Sequence, residues 1–230
     1  MKKPSLLFIV GPTASGKSEV AIALAKKIDG EILSADSMLV YRGMDIGTAK
    51  PKLSDRRHIP HHGIDLLPHT KNFSVFKYRQ YALKSIKAIV KRGRIPIVVG
   101  GSGLYIRALL EGLVHSPGAE RLLRKKLEKQ IAEKGLAILY KKLSRVDPQR
   151  AAKISPNDQK RIIRALEIHL LSGRKPSAFS KSEPSLKQLG YAPFVIGIHR
   201  DRQALYEKIE RRVERMFKNG LVLEVKRLAR

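Results

Sequence analysis

A loop of eight residues near the N-terminus constrains this chain more than any other feature. Residues 11–18 read GPTASGKS and match the phosphate-binding pattern G-x-x-x-x-G-K-[ST]. The loop follows an apolar run, Leu6 to Val10, and precedes a segment with helical periodicity, Glu19 to Ile28. A strand, a glycine-rich turn and a helix in this order direct backbone N–H groups and the positive helix end towards a phosphate. The sequence therefore predicts that a phosphorylated ligand binds at this loop.

The whole loop supplies candidate contacts to that ligand. The Lys17 ammonium is expected to reach a phosphate oxygen, and the Ser18 hydroxyl is expected to hold Mg²⁺, directly or through water. The predicted phosphate-binding residues are Gly11, Pro12, Thr13, Ala14, Ser15, Gly16, Lys17 and Ser18. An ordinary glycine-rich turn is the alternative, and the flanking strand and helix argue against it.

Apolar runs alternate with helical segments along much of the chain. Ile- and Val-rich runs occur at 6–10, 31–34, 95–99 and 194–198. Most are continuously apolar, which is typical of a buried parallel sheet. Helical periodicity between them, as in Ser74 to Arg92, predicts an α/β fold with right-handed crossovers.

The pattern changes between about 117 and 193, where Lys- and Arg-rich helical segments lack a convincing strand. We interpret this part as a helical insertion. The predicted domains are therefore the first part of a core at 1–116, the insertion at 117–193, and a return to the core at 194–230.

Composition indicates a polyanionic partner. Lys and Arg number 47 against 20 Asp and Glu, which gives a formal net charge of +27. An excess of this size predicts affinity for nucleic acid, although a generally Lys-rich proteome would also contribute. There is no cysteine, which excludes disulfides and thiolate metal sites. No apolar stretch approaches the ~20 residues that span a bilayer, so we expect a soluble cytoplasmic protein without a membrane partner.

Two more polar clusters follow predicted strands. Asp36 comes after the second strand, and the turn Gly100-Gly101-Ser102 comes after the third. Ligands of open parallel sheets bind beyond the carboxyl ends of the strands, so both clusters should lie beside the phosphate loop. A carboxylate at that place can hold Mg²⁺ through water or accept a proton from a nucleophile. Helix capping is the alternative role for Asp36.

The three clusters, in this order and spacing, resemble the tRNA dimethylallyltransferase family. The stretches that carry the resemblance are GPTASGKS, SADSMLVYRGMDIGTAKP, IPHHGID with FSVFKY, VVGGSGLYIRALLEGL, DPQRAAKISPNDQKRIIRALEIHLLSG and RQALYEKIERRVERMFKNGLVLEV. They span almost the whole chain. The resemblance implies a P-loop NTPase-like parallel sheet flanked by helices, with an all-helical insertion.

The resemblance also implies an activity. Such enzymes transfer a dimethylallyl (isopentenyl) group from dimethylallyl diphosphate to the exocyclic amine of the adenine 3′ of the anticodon in tRNA, releasing diphosphate. Thr13 to Ser18 would hold the diphosphate with Mg²⁺. Lys17 and Arg202 would stabilise its developing charge, and Asp36 would act as the general base.

Contacts to the tRNA anticodon stem-loop are implied for residues in both parts of the chain. They are Asp36, Ser37, Met38, Leu39, Ser102, Gln159, Lys160, Arg161 and Arg164. Lys160 stands where similar proteins commonly carry Gln. The family normally continues beyond the position of Arg230, so we expect a partial sequence or a shortened enzyme. Nothing indicates an obligate protein partner.

Other functions are compatible with parts of the pattern. A P-loop phosphotransferase acting on a metabolite with ATP is one, and prenylation of free adenine nucleotides is another. The positive charge and the basic insertion favour RNA over both. A non-catalytic RNA-binding module is disfavoured, because Asp36 would repel its ligand. Adjacent His61 and His62 lack a third ligand at helical spacing, so we predict a structural turn rather than a metal site.

Overall fold

The computed structural model describes residues 3–180 and 183–229. It divides into two compact units. The first, which we call the core unit, comprises residues 1–112 and 184–230. The second, the helical unit, comprises residues 113–183.

A parallel sheet forms the centre of the core unit. The strands are β1 (Ser5–Val10), β2 (Gly30–Ser34), β3 (Tyr41–Arg42), β4 (His61–His62), β5 (Leu67–Pro68), β6 (Ile95–Gly100) and β7 (Ala192–Gly197). Five of them pair in the order β4-β2-β6-β1-β7, all parallel. The remaining two, β3 and β5, form a separate parallel pair. The predicted α/β class and all four predicted strands are confirmed.

Ten α-helices surround the sheet or make up the helical unit within the described residues. They are α1 (Lys17–Lys27), α2 (Leu53–His58), α3 (Val75–Lys91), α4 (Gly103–Leu110), α5 (Arg121–Lys134), α6 (Leu136–Val146), α7 (Pro148–Ala151), α8 (Gln159–Ser172), α9 (Arg202–Lys218) and α10 (Leu221–Leu228). None of those described helices combines the length and apolar character that crossing a bilayer requires.

Alternating side chains of the strands build a core on each face of the sheet. Leu6 and Phe8 of β1 pack into one cluster with Tyr78 of α3, whereas Ile9 packs into another with Ala21 of α1. Successive strand residues point to opposite faces, so a continuously apolar strand can supply both clusters. Burying a side chain such as Phe8 contributes about 1.5–3 kcal/mol. The two cores hold the strand ends, and hence the loops, at fixed positions.

The histidine pair lies in a strand instead of the predicted turn. β4 adds to the edge of the sheet beside β2. The Nε2 atom of His62 lies 2.6 Å from a carboxylate oxygen of Glu31, which is buried and also accepts a hydrogen bond from Arg92. Burial alone would raise the pKa of Glu31, but Arg92 and His62 lower it to about 2. The pair therefore secures a sheet edge.

The helical unit has a core of its own, formed by α5, α6 and α8. Leu127, Leu139, Leu143, Ile162 and Leu166 are buried in it. Its boundaries lie earlier in the chain than the predicted 117 and 193. Residues 184–191 belong to the core unit because they bring a buried leucine, at position 186, into the cluster beside α4. A segment without regular structure gives no periodic signal, so the sequence could not assign it.

Candidate active site

Three loops meet at the carboxyl edge of neighbouring strands β2, β6 and β1. The loop after β2 is bonded to the end of β6, because the N–H of Ala35 donates to the carbonyl of Val99 at 2.7 Å. The N–H of Ser102 donates back to the Ala35 carbonyl at 3.2 Å. A Cβ atom on Gly100 would lie 2.2 Å from that carbonyl oxygen. Glycine at this position therefore lets two of the loops touch.

This contact predicts a large effect for a small substitution. Gly100→Ala should destabilise the protein by about 3 kcal/mol, because the methyl group cannot avoid fixed backbone atoms. Gly103→Ala is the matched control, since a Cβ there meets no atom within 4 Å and alanine favours the first turn of α4. Urea unfolding of both variants measures the difference. Equal urea midpoints of unfolding for the two variants would show that a methyl group at position 100 is tolerated, against this prediction.

The phosphate loop has the conformation that its pattern predicts. Gly16 and Ala14 take left-handed backbone angles, with φ of 96° and 62°. A Cβ on Gly11 would lie 2.6 Å from the carbonyl oxygen of Ile198. The ammonium of Lys17 donates to the carbonyl of Pro12, and Ser15 keeps a buried hydroxyl without a partner. Strained angles and an unmatched buried hydroxyl are common where a loop is built around a ligand.

The loops enclose a cavity of about 950 Å³. Seven of the eight predicted phosphate-loop residues line it, and the eighth, Ser15, is buried and does not. Asp36, Leu39 and Ser102 also line the cavity, whereas Ser37 and Met38 do not. Ser37 instead donates its N–H to the Ser102 hydroxyl at 3.0 Å, which joins the second and third loops. The fold thus brings the predicted phosphate-binding residues and the predicted acid into one cavity, as expected when neighbouring strands end at the same edge of a sheet.

Asp36 is half-buried on the cavity wall. Its Oδ1 atom accepts the N–H of Met38 at 2.8 Å, which closes a turn rather than capping a helix. Its charge acts on both Lys17 and Arg212. Burial lowers the pKa of each of these cations, and the Asp36 carboxylate partly offsets that effect. An acid and two cations are therefore close enough to influence one another.

A row of cations on α9 completes the cavity, and sequence reasoning missed it. Lys208, Arg211, Arg212 and Arg215 all line it. Their spacing of three and four places them on one face of the helix, which was the available signal. Arg202, the predicted catalytic arginine, does not line the cavity. Its Nε donates to the Tyr206 hydroxyl at 3.0 Å, and its guanidinium lies 5.4 Å from that ring's centre.

The residues of the helical unit that are predicted to contact tRNA differ in exposure and in their bonds to the rest of the protein. Gln159, Lys160 and Arg161 are exposed in the first turn of α8. Arg164 is half-buried, and its guanidinium lies 2.6 Å from the Glu167 carboxylate. It also donates to the Pro117 carbonyl at 2.7 Å. These bonds hold Arg164 within the helical unit. The three exposed residues remain accessible to a ligand.

Oxygen donors on the cavity wall fit a magnesium ion that also binds substrate phosphates. Ser18 supplies a hydroxyl and Asp36 a carboxylate, the ligand types that Mg²⁺ prefers. The described residues contain no group of three or more His, Asp or Glu side chains that could hold a metal without a substrate. Mg²⁺ usually binds through one or two protein ligands together with substrate phosphates and water.

Known proteins match the chain along its length. The family described as IPP transferase matches residues 39–230, and the family described as isopentenyl transferase matches residues 4–59. A tRNA dimethylallyltransferase of Geobacter metallireducens is 48% identical over 227 residues, which are 99% of this chain and 73% of that protein. A tRNA dimethylallyltransferase of Pelotomaculum thermopropionicum is 47% identical over 232 aligned residues. The alignment covers 99% of this chain and 72% of that protein.

Solved structures of related transferases also resemble this chain. The full-length tRNA isopentenylpyrophosphate transferase of Bacillus halodurans is 41% identical, with a TM-score of 0.65, and 99% of this chain covers 70% of it. A eukaryotic dimethylallyltransferase acting on tRNA is 30% identical, with a TM-score of 0.79, and 98% of this chain covers 56% of it. The predicted P-loop NTPase-like architecture is confirmed by these structures. With its phosphate loop, strand-end acid and sheet order, this chain belongs to the tRNA dimethylallyltransferase family.

Proposed function

We propose that this chain transfers a dimethylallyl group from dimethylallyl diphosphate to the exocyclic amine of the adenine 3′ of the anticodon in tRNA. One observation carries the proposal: the phosphate loop and the carboxylate of Asp36 line the same cavity. A phosphate site alone would suit many reactions. A neighbouring acid that can accept a proton suits alkylation of an amine.

The cavity suits release of a diphosphate. When the allylic C–O bond breaks, its electron pair leaves with the diphosphate, and positive charge develops on the allylic carbon. Backbone amides of the phosphate loop and the Lys17 ammonium would stabilise the departing oxygens, as would Arg212, which lines the same cavity. These groups are held in place before reaction, so they need not reorganise as charge develops.

The acid suits the other half of the reaction. The exocyclic amine of adenine is a weak nucleophile because its lone pair is delocalised into the ring. As the new N–C bond forms, one N–H proton must leave, and Asp36 would accept it. The products are then the alkylated amine, diphosphate and a proton held by Asp36. Ser102, bonded to Ser37, would keep the loop that carries Asp36 in register.

Magnesium would be held by the Ser18 hydroxyl together with phosphate oxygens and water. When bound, Mg²⁺ supplies positive charge that neutralises the diphosphate. The protein itself places Ser18 in the first turn of α1, where it lines the cavity.

The RNA substrate is supported by charge. A net charge of +27 attracts a polyanion, and α9 presents its cations directly to the cavity. Gln159, Lys160 and Arg161 would add contacts from the helical unit. The target adenine would have to leave the stack of the anticodon loop to reach Asp36.

A labelling experiment tests the reaction class. The protein is incubated with Mg²⁺, radiolabelled dimethylallyl diphosphate and an anticodon stem-loop carrying adenine after the anticodon. A matched stem-loop with inosine at that position lacks the exocyclic amine and is the control. We expect label only on the adenine stem-loop.

Two further arms address the alternative activities. One offers labelled dimethylallyl diphosphate to free AMP, and the other offers ATP to a panel of metabolites. Label on AMP in preference to the stem-loop, or phosphate transfer from ATP, would overturn the proposal.

A further inference from the structure

One wall of the cavity is a loop that helix α10 contacts. This loop, residues 43–50, connects β3 to the segment before α2, and we call it the 43–50 loop. Thr48 and Ala49 within it line the cavity. Ala49 has a left-handed backbone with φ of 48°, which an alanine adopts only when surrounding contacts impose it. Hydrogen bonds within the loop, such as that from the Ala49 N–H to the Ile46 carbonyl at 3.0 Å, are joined by contacts from outside it.

Glu224 on α10 makes the most extensive of those contacts. Its carboxylate is buried, with 6% of the residue exposed. One oxygen accepts the N–H groups of Asp45 and Ile46 at 2.9 and 2.7 Å, and the other accepts that of Gly47 at 2.9 Å. Successive amides that converge on one anion form a nest, and here the anion belongs to the protein itself.

The three N–H donors favour an ionised carboxylate. Burial alone would raise the pKa of Glu224, but the three backbone N–H groups outweigh it, so the pKa lies below its usual value. Arg227, one turn further along α10, contributes in the same direction and donates to the Gly43 carbonyl at 3.3 Å. A neutral amide at this position could not accept from all of these donors.

The 43–50 loop is bonded in turn to a charged residue of the cavity. The Nη2 atom of Arg212 donates to the carbonyl of Thr48 at 3.2 Å. The same guanidinium interacts electrostatically with Asp36 and with Lys17. Hydrogen bonds thus lead from Glu224 through the loop to Arg212, and the charge of Arg212 acts in turn on the acid and the phosphate loop.

We propose that Glu224 is a positioning residue: it fixes the 43–50 loop so that Arg212 faces the departing diphosphate. This role rests on the proposed alkyl transfer. Glu224 lies outside the cavity lining and touches no reacting atom. It acts through Thr48 and Arg212, so that α10 helps to set the geometry of the reaction centre.

The first test measures the loop without measuring activity. Amide hydrogen exchange of peptides covering 44–50 is compared in the wild type, Glu224→Gln and Glu224→Asp. We expect exchange about tenfold faster in Glu224→Gln, because the amides lose an anionic acceptor, and a smaller increase in Glu224→Asp. Peptides of α3 serve as the internal reference for global unfolding. Unchanged exchange in 44–50 would overturn the proposal.

The second test is a double-mutant cycle on the rate of transfer. Glu224→Gln should lower kcat about tenfold in the wild type, but less than about twofold in an Arg212→Ala background, because the two act as one unit. Glu210→Gln, an exposed change on α9 outside the cavity, is the matched control and should leave kcat unchanged in both.

The outcomes separate the two proposals. Independent, multiplicative losses for Glu224→Gln and Arg212→Ala would overturn the positioning role while leaving the transfer reaction intact. Absence of transfer by the wild type would overturn the proposed function, and hydrogen exchange would still decide whether Glu224 fixes the loop.

Discussion

Replacing Asp36 by asparagine should lower the rate of alkyl transfer about 10²–10⁴-fold while tRNA affinity stays almost unchanged. Asparagine keeps the oxygen that accepts the Met38 N–H, so the turn after β2 should persist. It cannot accept the proton that the adenine amine must lose. Single-turnover transfer of labelled dimethylallyl groups measures the rate, and filter binding of the stem-loop measures the affinity.

A matched substitution tests whether removing any carboxylate from the protein lowers the rate of transfer. Asp29→Asn removes the same charge at an exposed position with φ of 48°, a left-handed conformation that asparagine tolerates. We expect wild-type transfer from this control. Undiminished transfer by Asp36→Asn would show that Asp36 is not the base.

Replacing Lys17 by methionine should produce a loss of similar size by a different route. Lys17 lines the cavity, and burial lowers its pKa, whereas the negative charge of a neighbouring diphosphate would raise that pKa again. Without that charge the departing oxygens lose one preorganised donor, and kcat should fall about 10²–10³-fold. Steady-state kinetics with dimethylallyl diphosphate as the varied substrate provide kcat and KM.

Lys26→Met is the control for this second prediction. Lys26 lies on the same helix, exposed in its last turn and outside the cavity. The control should retain wild-type kinetics. A Lys17→Met enzyme that keeps its kcat would indicate that the phosphate loop binds a group other than the one that leaves.

Several parts of the site followed from short stretches of sequence. The conformation of residues 11–18 depends on glycines and on the strand and helix beside them, so a local pattern predicts it. The meeting of that loop with Asp36 and Ser102 followed from one rule of parallel sheets, that strand ends share an edge. That rule needs only the position of each strand, which continuous apolar runs reveal.

Long-range partners were not accessible in this way. Arg212, in place of Arg202, lines the cavity because α9 packs with one particular face towards it, and several arginines on that helix looked equivalent in the sequence. The family resemblance implied a tRNA contact for Arg164, yet its bonds to Pro117 and Glu167 depend on how the chain folds back in the helical unit.

The amino-acid sequence sufficed for the class of fold, the phosphate loop, the acid at the neighbouring strand end and the family. Those features arise from periodicity and from residues adjacent in the chain. The three-dimensional arrangement was needed to identify the cations of α9 and the contact of Glu224 with the 43–50 loop. Glu224 is separated from that loop by more than 170 positions, and only packing of the folded chain brings its carboxylate to three backbone amides.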